Sequence, residues 1–236
     1  MLFRSRWVGI KSHVRLKDIE SCAQITLGNI DVEHHVCDFY FSRKWAPGGY
    51  VWVFPKDKHT ANVGLGISGE YSAEKSAMEY LNEFIGVRFP EASRLITVAG
   101  GVPCAPYMED IVRGGFMMVG DAAHQSNPIS GGGIIQSIMA GKIAGEVAGN
   151  AVNDNDVSPK RLSEYPKKWY DTGGKTHVRS YRLKDTVYKL TDEELNKTAF
   201  TVNELSPEKR TIISIFKIAL FNHPRLIPDI LKVFLM

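Results

Sequence analysis

The stretch from Met117 to Ile134 constrains this chain most strongly, because it reads as a strand, a tight loop and the start of a helix. The apolar run from Phe116 to Val119, bounded by glycines, is typical of a strand buried on both faces. Asp121 follows where the chain leaves this strand, and Gly131 to Gly133 open the helix. Glycines lack a Cβ, and the first N–H groups of a helix carry partial positive charge. The pattern therefore predicts close approach by an electron-rich ligand.

The predicted helix from about Gly132 to Asn150 carries small residues at every fourth position. Glycine costs about 1 kcal/mol relative to alanine in a helix interior, so the row implies a compensating close contact. Ordinary tight packing against a sheet is the favoured interpretation for the helix body, and ligand approach is favoured for the glycines that open it. The row consists of Gly133, Ser137, Gly141, Gly145 and Gly149.

Residues 19 to 67 predict an antiparallel sheet, because β-branched and aromatic runs alternate with turn residues there. A helix is expected over 72–86 with Ser72 as its N-cap, and a further strand over 94–101. The predicted strands of the sheet are Ile19 to Ile30, Val36 to Ser42, Tyr50 to Phe54 and Thr60 to Ile67.

The strand beginning at Tyr50 places three aromatic side chains on one face, because side chains alternate along a strand. These are Tyr50, Trp52 and Phe54, and Pro55 ends the run. Glycines at positions 64 and 66 indicate that something lies close against the neighbouring strand. An aromatic wall beside a bare strip suits a long apolar ligand. An aromatic core face is the alternative, and the residues alone leave both open.

The segment Gly120-Asp121-Ala122-Ala123-His124, followed by Pro128 and the three glycines, resembles the second FAD fingerprint of flavoproteins of the p-hydroxybenzoate hydroxylase type. The resemblance implies that Asp121 hydrogen-bonds a ribityl hydroxyl of FAD. It also implies that the amides around Gly132 to Ile134 face the pyrimidine edge of the flavin. The cofactor-binding residues implied are Gly120, Asp121, Ala122, Pro128, Gly131, Gly132, Gly133 and Ile134.

The strand that carries the three aromatic residues narrows the resemblance from a superfamily of flavoproteins to one family within it. Tyr-x-Trp-x-Phe-Pro at 50–55, followed after eight residues by Gly-x-Gly at 64–66, is similar to the substrate-site motif of geranylgeranyl reductases. That family implies an FAD-dependent enzyme that saturates isolated C=C bonds of geranylgeranyl chains, here those of archaeal-type ether phospholipids. A flavin monooxygenase of the same superfamily and a non-catalytic fragment that binds lipid or a partner remain as alternatives. The substrate-binding residues implied are Tyr50, Trp52, Phe54, Pro55, Gly64 and Gly66.

The expected fold is α+β or α/β, the C-terminal part of such a flavoprotein. Residues 1–110 are predicted to form the substrate-binding region, 111–155 the second half of the FAD domain and 156–236 a helical C-terminal region. The Gly-x-Gly-x-x-Gly unit with which family members begin does not occur here. We therefore expect part of a longer reductase, or one completed by a separate N-terminal FAD-binding chain.

Charge and composition restrict the partners. A net charge of +3 is too weak to indicate nucleic acid, and three dispersed cysteines predict neither disulfides nor a metal site. The cysteine pattern is typical of a reducing cytoplasm, so a cytoplasmic protein is expected. No apolar run approaches the ~20 residues of a membrane span. Between Pro159 and Leu190, nine Lys and Arg oppose three acidic residues. A solvated helical face is the favoured interpretation, and peripheral contact with anionic lipid headgroups is the alternative.

The sequence assigns no catalytic acid. His124 could donate a proton near neutral pH, but a structural role in the loop is favoured for it. Cys104 and His177 offer no stronger case.

Overall fold

The computed structural model describes residues 2–210, 218 and 221–224, so part of the predicted 156–236 region lies outside the described residues. The chain divides into two units. The first comprises Met1–Glu20 and Gly101–Tyr181, and the second comprises Ser21–Gly100 and Arg182–Met236. The division into three regions expected from the sequence stays a prediction.

The strands of the described chain form a larger antiparallel sheet and a small hairpin. The larger sheet has the order β2-β3-β4-β1-β5, and the hairpin pairs β6 with β7. The strands are β1 Ile19–Gly28, β2 Asp38–Tyr40, β3 Tyr50–Pro55, β4 Ala61–Ser68, β5 Ser93–Pro103, β6 Val112–Arg113 and β7 Phe116–Met117. The expected antiparallel sheet is confirmed in β2, β3 and β4, which pair antiparallel.

The first helix precedes the first strand and the second lies between β4 and β5, and helices dominate the later part of the described chain. A π-helical turn over Tyr170–Gly174 connects two of them. The α-helices are α1 Leu2–Trp7, α2 Ala77–Arg88, α3 Ile134–Asn153, α4 Pro159–Leu162, α5 Glu164–Trp169, α6 Lys175–Tyr188 and α7 Asp192–Asn203.

The core of the second unit lies between the sheet and α2. Val51 and Val53 on β3 are buried, and they alternate with partly exposed aromatic residues. Leu81 and Phe84 of α2 complete this core. Full burial of such a side chain contributes about 1.5–3 kcal/mol, which fixes the face that each strand turns inward.

Helix α2 begins later than the sequence predicts. Ser72 lies in a short 3₁₀ turn, and its hydroxyl donates to the Gly69 carbonyl. Ser76 is the N-cap and forms a capping box with Glu79. Two reciprocal hydrogen bonds at Ser76 outcompete the single side-chain cap expected at Ser72.

The core of the first unit lies between α3 and the short helices that follow it. The buried face of α3 consists of Ala140, Ala144, Val147 and Ala151. It shares a cluster with Tyr165 and Trp169 of α5. Alanine and valine permit close packing because these large aromatic side chains fill the space between the helices.

The strand expected at Phe116–Val119 is shorter and less buried than the sequence indicates. Only Phe116–Met117 is a strand, paired with β6, and both residues are partly exposed. Met118 is buried. Burial on both faces requires neighbouring strands and covering helices, and the described residues supply only the two-stranded hairpin.

The glycine row of α3 differs from expectation. A Cβ at Gly141, Gly145 or Gly149 would have no described atom within 4 Å beyond the helix's own neighbouring backbone. The tight packing predicted for the helix body occurs instead along the adjacent alanine row, and Gly141, Gly145 and Gly149 are exposed.

Candidate functional site

The start of α3 lacks a side-chain cap. Its N-cap residue is Gly133, and no hydrogen bond from a capping side chain is present among the described residues. The amide of Gly132 donates to the Ser130 hydroxyl at 3.3 Å. The first N–H groups of a helix find no partner inside the helix. This end therefore offers donors, together with the positive end of the helix dipole, to an electron-rich group.

The loop before the helix is held by buried hydrogen bonds. The Gln125 side chain accepts from the Gly120 amide at 2.6 Å and donates to the Tyr165 hydroxyl at 2.8 Å. That hydroxyl donates to the Met118 carbonyl at 3.0 Å. Burial raises the pKa of Tyr165 to about 12, so the phenol stays a donor at neutral pH. These three hydrogen bonds therefore fix the backbone at Met118 and Gly120, where the loop leaves β7.

Two further loop side chains are committed to the backbone. The Ser126 hydroxyl donates to the Pro103 carbonyl. Asn127 accepts from the amides of Ile129 and Ser130 at 2.9 and 3.1 Å. These contacts set the turn that leads to Gly131, which has a φ of +68° and so favours glycine.

Asp121 lies beside the glycine-led helix start. A Cβ at Gly133 would lie 3.0 Å from the Asp121 Oδ1 atom, closer than most side chains tolerate. Desolvation by the surrounding loop raises the pKa of the Asp121 carboxyl, although the residue as a whole is exposed. The carboxyl and the missing Cβ together leave a bare cradle. These features fit the FAD contact that the fingerprint implies.

The histidines of this unit have structural contacts. His124 is buried in a left-handed conformation, and its Nε2 donates to the Ser12 carbonyl at 3.3 Å. The Nε2 atom of His177 donates to the Ala105 carbonyl at 2.9 Å. Burial lowers the pKa of His177, which keeps its ring neutral near pH 7. Both geometries agree with the structural interpretation preferred for His124.

A small cavity lies next to the loop in the same unit. Its volume is about 180 Å³, and its lining contains amides, hydroxyls, a neutral imidazole and two large apolar side chains, with no Lys, Arg, Asp or Glu. Such a lining accommodates a neutral polar group or ordered water. The lining residues are Gln125, Asn127, Gln136, Met139, Trp169, Thr172, Gly173, Thr176 and His177.

The aromatic side chains of β3 lie together on the face of the sheet opposite the core. The ring centroids of Tyr50 and Trp52 are 5.9 Å apart, and those of Trp52 and Phe54 are 6.1 Å apart and stacked. All three are partly exposed, whereas Val51 and Val53 between them are buried. The residues are therefore available to a ligand rather than filling the core, which was the alternative for this motif.

Two aromatic residues that the sequence analysis missed extend this surface. Phe39 lies 5.7 Å from Tyr50 and 5.4 Å from Phe54, measured between ring centroids. Phe41 lies 5.6 Å from Tyr50. The spacing of Phe39 and Phe41 indicates that their side chains lie on the same side of the chain. Only the pairing of β2 with β3 shows that this side is the one that carries Tyr50, Trp52 and Phe54. The aromatic face comprises Phe39, Phe41, Tyr50, Trp52 and Phe54.

Gly64, on the strand beside β3, makes room for a side chain of the aromatic face. Gly64 pairs with Trp52 and Gly66 with Tyr50 across the two strands. A Cβ at Gly64 would lie 2.5 Å from the Trp52 ring. The indole Nε1 donates to the Gln24 side chain at 3.0 Å, which holds the ring over this position. The group that the sequence predicted to lie close against the strand at Gly64 is therefore the Trp52 indole.

Neither a metal site nor a membrane span is found in the part of the chain that the structure describes. Three or more His, Cys, Asp or Glu side chains do not gather there in a metal-binding arrangement. No described helix combines the length and apolar character needed to cross a bilayer.

Comparison with solved structures defines the class of fold. A flavin-dependent brominase, solved as a triple mutant, aligns with 98% of this chain at a TM-score of 0.62 and 13% identity. A geranylgeranyl bacteriochlorophyll reductase-like protein from Thermoplasma acidophilum aligns over 97% of the chain, with a TM-score of 0.88 and 32% identity. The chain therefore has the fold of the flavin-dependent hydroxylase and halogenase type, as expected.

The family follows from sequence comparison. Residues 18–102 match the model of the geranylgeranyl reductase catalytic domain. A digeranylgeranylglycerophospholipid reductase from Methanocella arvoryzae is 40% identical over 225 residues, which cover 95% of this chain. The resemblance predicted from the motifs is therefore confirmed: the chain is a partial match to geranylgeranyl reductases, and its residues 18–102 match the model of their catalytic domain.

The chain matches only part of the length of its relatives. The chain spans 57% of the Methanocella arvoryzae reductase and 58% of the Thermoplasma acidophilum protein. It thus corresponds to just over half the length of the proteins that it resembles.

Proposed function

We propose that this chain forms part of an FAD-dependent reductase that saturates isolated C=C bonds in the geranylgeranyl chains of ether phospholipids. One observation carries the proposal: the uncapped, glycine-led start of α3 lies beside the Asp121 carboxyl. Donors and an acceptor adjacent to a bare backbone suit a flat, polar-edged ring such as the flavin. The names of the similar proteins support the substrate class.

In this proposal the residues of the first unit bind and orient the flavin. Asp121 accepts a hydrogen bond from a ribityl hydroxyl, and the amides from Gly132 to Ile134 face the pyrimidine edge. When bound, reduced FAD would supply a hydride to one carbon of each C=C bond, and a proton donated to the other carbon by an acid that the described residues do not identify would complete the saturation. The helix-start amides stabilise negative charge on the reduced ring, because they are fixed donors that need no reorganisation.

The aromatic face binds the prenyl chain. Its five side chains offer an extended, partly exposed apolar surface that carries no charge. Contact with an isoprenoid chain removes apolar area from water, and each buried CH₂ contributes about 0.8 kcal/mol. The Trp52–Gln24 hydrogen bond keeps the central ring in one orientation while the substrate slides along it.

Two partners complete the proposal. The first is a polypeptide that supplies the dinucleotide-binding unit, either a separate N-terminal chain or a further part of the same protein. The second is peripheral contact with an anionic membrane. Three of the basic residues expected to mediate it, Arg161, Lys168 and Lys175, form ion pairs with acidic neighbours. Lys160, Lys167 and Arg179 are exposed. Flotation with phosphatidylglycerol vesicles should therefore show weak binding that salt abolishes.

The experiment that tests the function uses the chain together with the complementing segment. By this term we mean the part of the Methanocella arvoryzae reductase outside the region that this chain matches. Both are co-expressed, supplied with FAD, reduced with dithionite and given digeranylgeranylglycerophospholipid. Mass spectrometry should show lipid that has gained one H₂ for each bond reduced. Unchanged lipid, with FAD bound and the two polypeptides associated, would overturn the assignment of the reaction.

Oxygen consumption separates this reaction from that of a monooxygenase. Under air, with NADPH as reductant, a monooxygenase inserts oxygen into an aromatic substrate, and the reductase leaves its lipid free of added oxygen. The likeness to the brominase concerns the fold alone and favours neither chemistry. A purified chain that stays colourless with FAD, even beside the complementing segment, would support the non-catalytic alternative.

A further inference from the structure

The aromatic face ends in polar residues at the turn between β3 and β4. The backbone pairing of these strands continues one residue past Pro55, because the Lys56 amide donates to the Thr60 carbonyl at 2.8 Å. Side chains alternate along a strand, so Lys56 lies on the same side as Phe54. Asn62 pairs with Phe54 across β3 and β4 and therefore shares that side. We name Lys56 and Asn62 the polar end of the aromatic face.

The side chain of Asn62 is held in one orientation. Its Oδ1 atom accepts a hydrogen bond from the Thr26 hydroxyl at 2.8 Å. Thr26 is buried, whereas Asn62 is partly exposed. A carboxamide carries two N–H donors besides its oxygen. The residues that the structure describes supply no acceptor for these two donors, so the Asn62 NH₂ group offers both of them to a ligand on this face.

Lys56 is an exposed cation that no carboxylate neutralises among the described residues. The acidic residue next to it in the turn, Asp57, accepts a hydrogen bond from the His59 amide at 2.8 Å. The second lysine of the turn, Lys58, lines a separate surface pocket together with two acidic residues. Lys56 therefore brings the positive charge of this turn to the side of the sheet that carries the aromatic residues.

The opposite end of the aromatic face, near Phe41, is less suited to an anion. The Arg43 guanidinium donates to the Tyr188 carbonyl at 3.4 Å, and the Lys44 ammonium lies 4.4 Å from the centroid of an aromatic ring. The Asp192 carboxylate accepts from the Arg43 amide at 2.9 Å and places a negative charge there. Both cations already have contacts, and an incoming anion would meet a carboxylate.

The chemistry of the polar end suits a phosphate group. An ammonium group and carboxamide N–H groups are all donors, and their hydrogen bonds to an anionic oxygen are stronger than those between neutral groups. The aromatic side chains beside them offer apolar contact. A ligand that uses both parts has a long apolar chain joined to an anionic head group. Free phosphate has the same donor requirement but uses none of the aromatic surface.

We propose that the polar end binds the phosphate of the lipid, and that the prenyl chain extends from there along the aromatic face, from Phe54 towards Tyr50. This inference rests on the proposed function, because it takes the substrate to be a lipid with a phosphate head group. Lys56 supplies positive charge, Asn62 supplies N–H donors, and Thr26 positions the Asn62 side chain. The polar end thus selects lipids that carry phosphate and sets the direction in which the chain lies on the sheet.

The test measures lipid binding rather than turnover. Two lipids are titrated into the chain in neutral detergent without FAD, and quenching of tryptophan fluorescence reports binding. One is digeranylgeranylglyceryl phosphate, and the other is digeranylgeranylglycerol, which lacks the phosphate. The unaltered chain should bind the phosphate lipid more tightly. Lys56→Met should weaken binding of the phosphate lipid about fivefold, the scale of an exposed ion pair, and leave the affinity for the neutral lipid unchanged.

Lys58→Met is the matched control, because it removes the same charge two residues away on the side of the separate pocket. It should bind both lipids as the unaltered chain does. Asn62→Asp is a second variant at the polar end. Its carboxylate still accepts from the Thr26 hydroxyl, so the strand is retained, but its charge repels phosphate. Affinity for the phosphate lipid should fall at least as far as in Lys56→Met, again without a change for the neutral lipid.

Binding of both lipids with equal affinity would overturn this proposal alone and leave the proposed function in place. Equal effects of Lys56→Met and Lys58→Met would also overturn it, and so would a loss in Asn62→Asp that is the same for the two lipids. Displacement of the phosphate lipid by an equal concentration of inorganic phosphate would assign the polar end to a free anion instead. If neither lipid binds, the aromatic face is not the site of the prenyl chain, and that part of the proposed function fails as well.

Discussion

The Trp52 indole occupies the space that a side chain at position 64 would need. Trp52 and Gly64 pair across β3 and β4, and a Cβ at Gly64 would lie 2.5 Å from the ring. The glycine of the family motif therefore allows the central aromatic residue to lie flat on the neighbouring strand. Because of this packing, Gly64 sets the orientation of the Trp52 ring, and both residues belong to the motif.

Gly64→Ala should move the Trp52 ring and lower the free energy of unfolding by about 1–3 kcal/mol, the usual cost of overpacking. The near-ultraviolet circular dichroism of the chain should change as the indole leaves its position. Urea unfolding measures the loss of stability.

Gly100→Ala is the control for this prediction. Gly100 lies on β5, is exposed and has no described atom within 4 Å of an added Cβ. Its unfolding free energy should stay within about 0.5 kcal/mol of the unaltered chain, as surface changes usually do. Equal losses at the two glycines would contradict the packing of Trp52 on Gly64.

Tyr165→Phe should destabilise the loop that precedes α3. The lost hydroxyl leaves the Gln125 amide and the Met118 carbonyl without their partner in a buried site. An unsatisfied buried group costs about 1–3 kcal/mol. Tyr170→Phe serves as the control, because Tyr170 is 40% exposed. Chemical denaturation should show a lower free energy of unfolding for Tyr165→Phe alone. A similar loss in Tyr170→Phe would count against the hydrogen bonds that join Gln125, Tyr165 and Met118.

The raised pKa of Asp121 makes stability depend on pH in a definite direction. Its folded-state pKa lies above the unfolded value of about 3.9, so ionisation costs more in the folded chain. Asp121→Asn should therefore raise the thermal midpoint at neutral pH. The gain should disappear as pH falls below the unfolded pKa, where the wild-type carboxyl is protonated in both states.

Asp156 supplies a comparison of opposite sign. The side chain and amide of Ser158 hydrogen-bond its carboxylate and lower its pKa. Asp156→Asn should lower the midpoint at neutral pH, and this loss should vanish on acidification through the lowered folded-state pKa. Thermal melts from pH 3 to pH 7 measure how the difference in midpoint between each variant and the unaltered chain changes with pH. A change in the same direction for both variants would contradict the desolvation of Asp121.

Local sequence patterns predicted the aromatic strand well because only one face of β3 is buried. Alternation fixes which side chains turn inward, and the buried valines left the aromatic residues on the other side. The predicted start of α2 was wrong because two serines lie within one turn of each other, and only Ser76 has a glutamate three residues later in the helix. The capping-box pattern was present in the sequence.

Long-range contacts account for what the sequence could not predict. Nothing near Gln125 in the sequence indicates that its amide meets Tyr165, 40 residues further on. The glycine row implied a close contact without saying where its partner lies, and the described chain contains none at Gly145. The roles of the cofactor-binding and substrate-binding residues stay predictions.

The affinity for FAD tests the central claim most directly. FAD is titrated into the chain together with the complementing segment, and quenching of flavin fluorescence reports binding. Asp121→Ala should weaken binding by about tenfold or more, since a hydrogen bond to a charged group contributes about 1.5–3 kcal/mol. The control Asp171→Ala removes an exposed carboxylate that pairs with Lys175 and should bind as the unaltered chain does. Equal FAD affinity for Asp121→Ala and the unaltered chain would contradict a flavin site at the glycine-led start of α3.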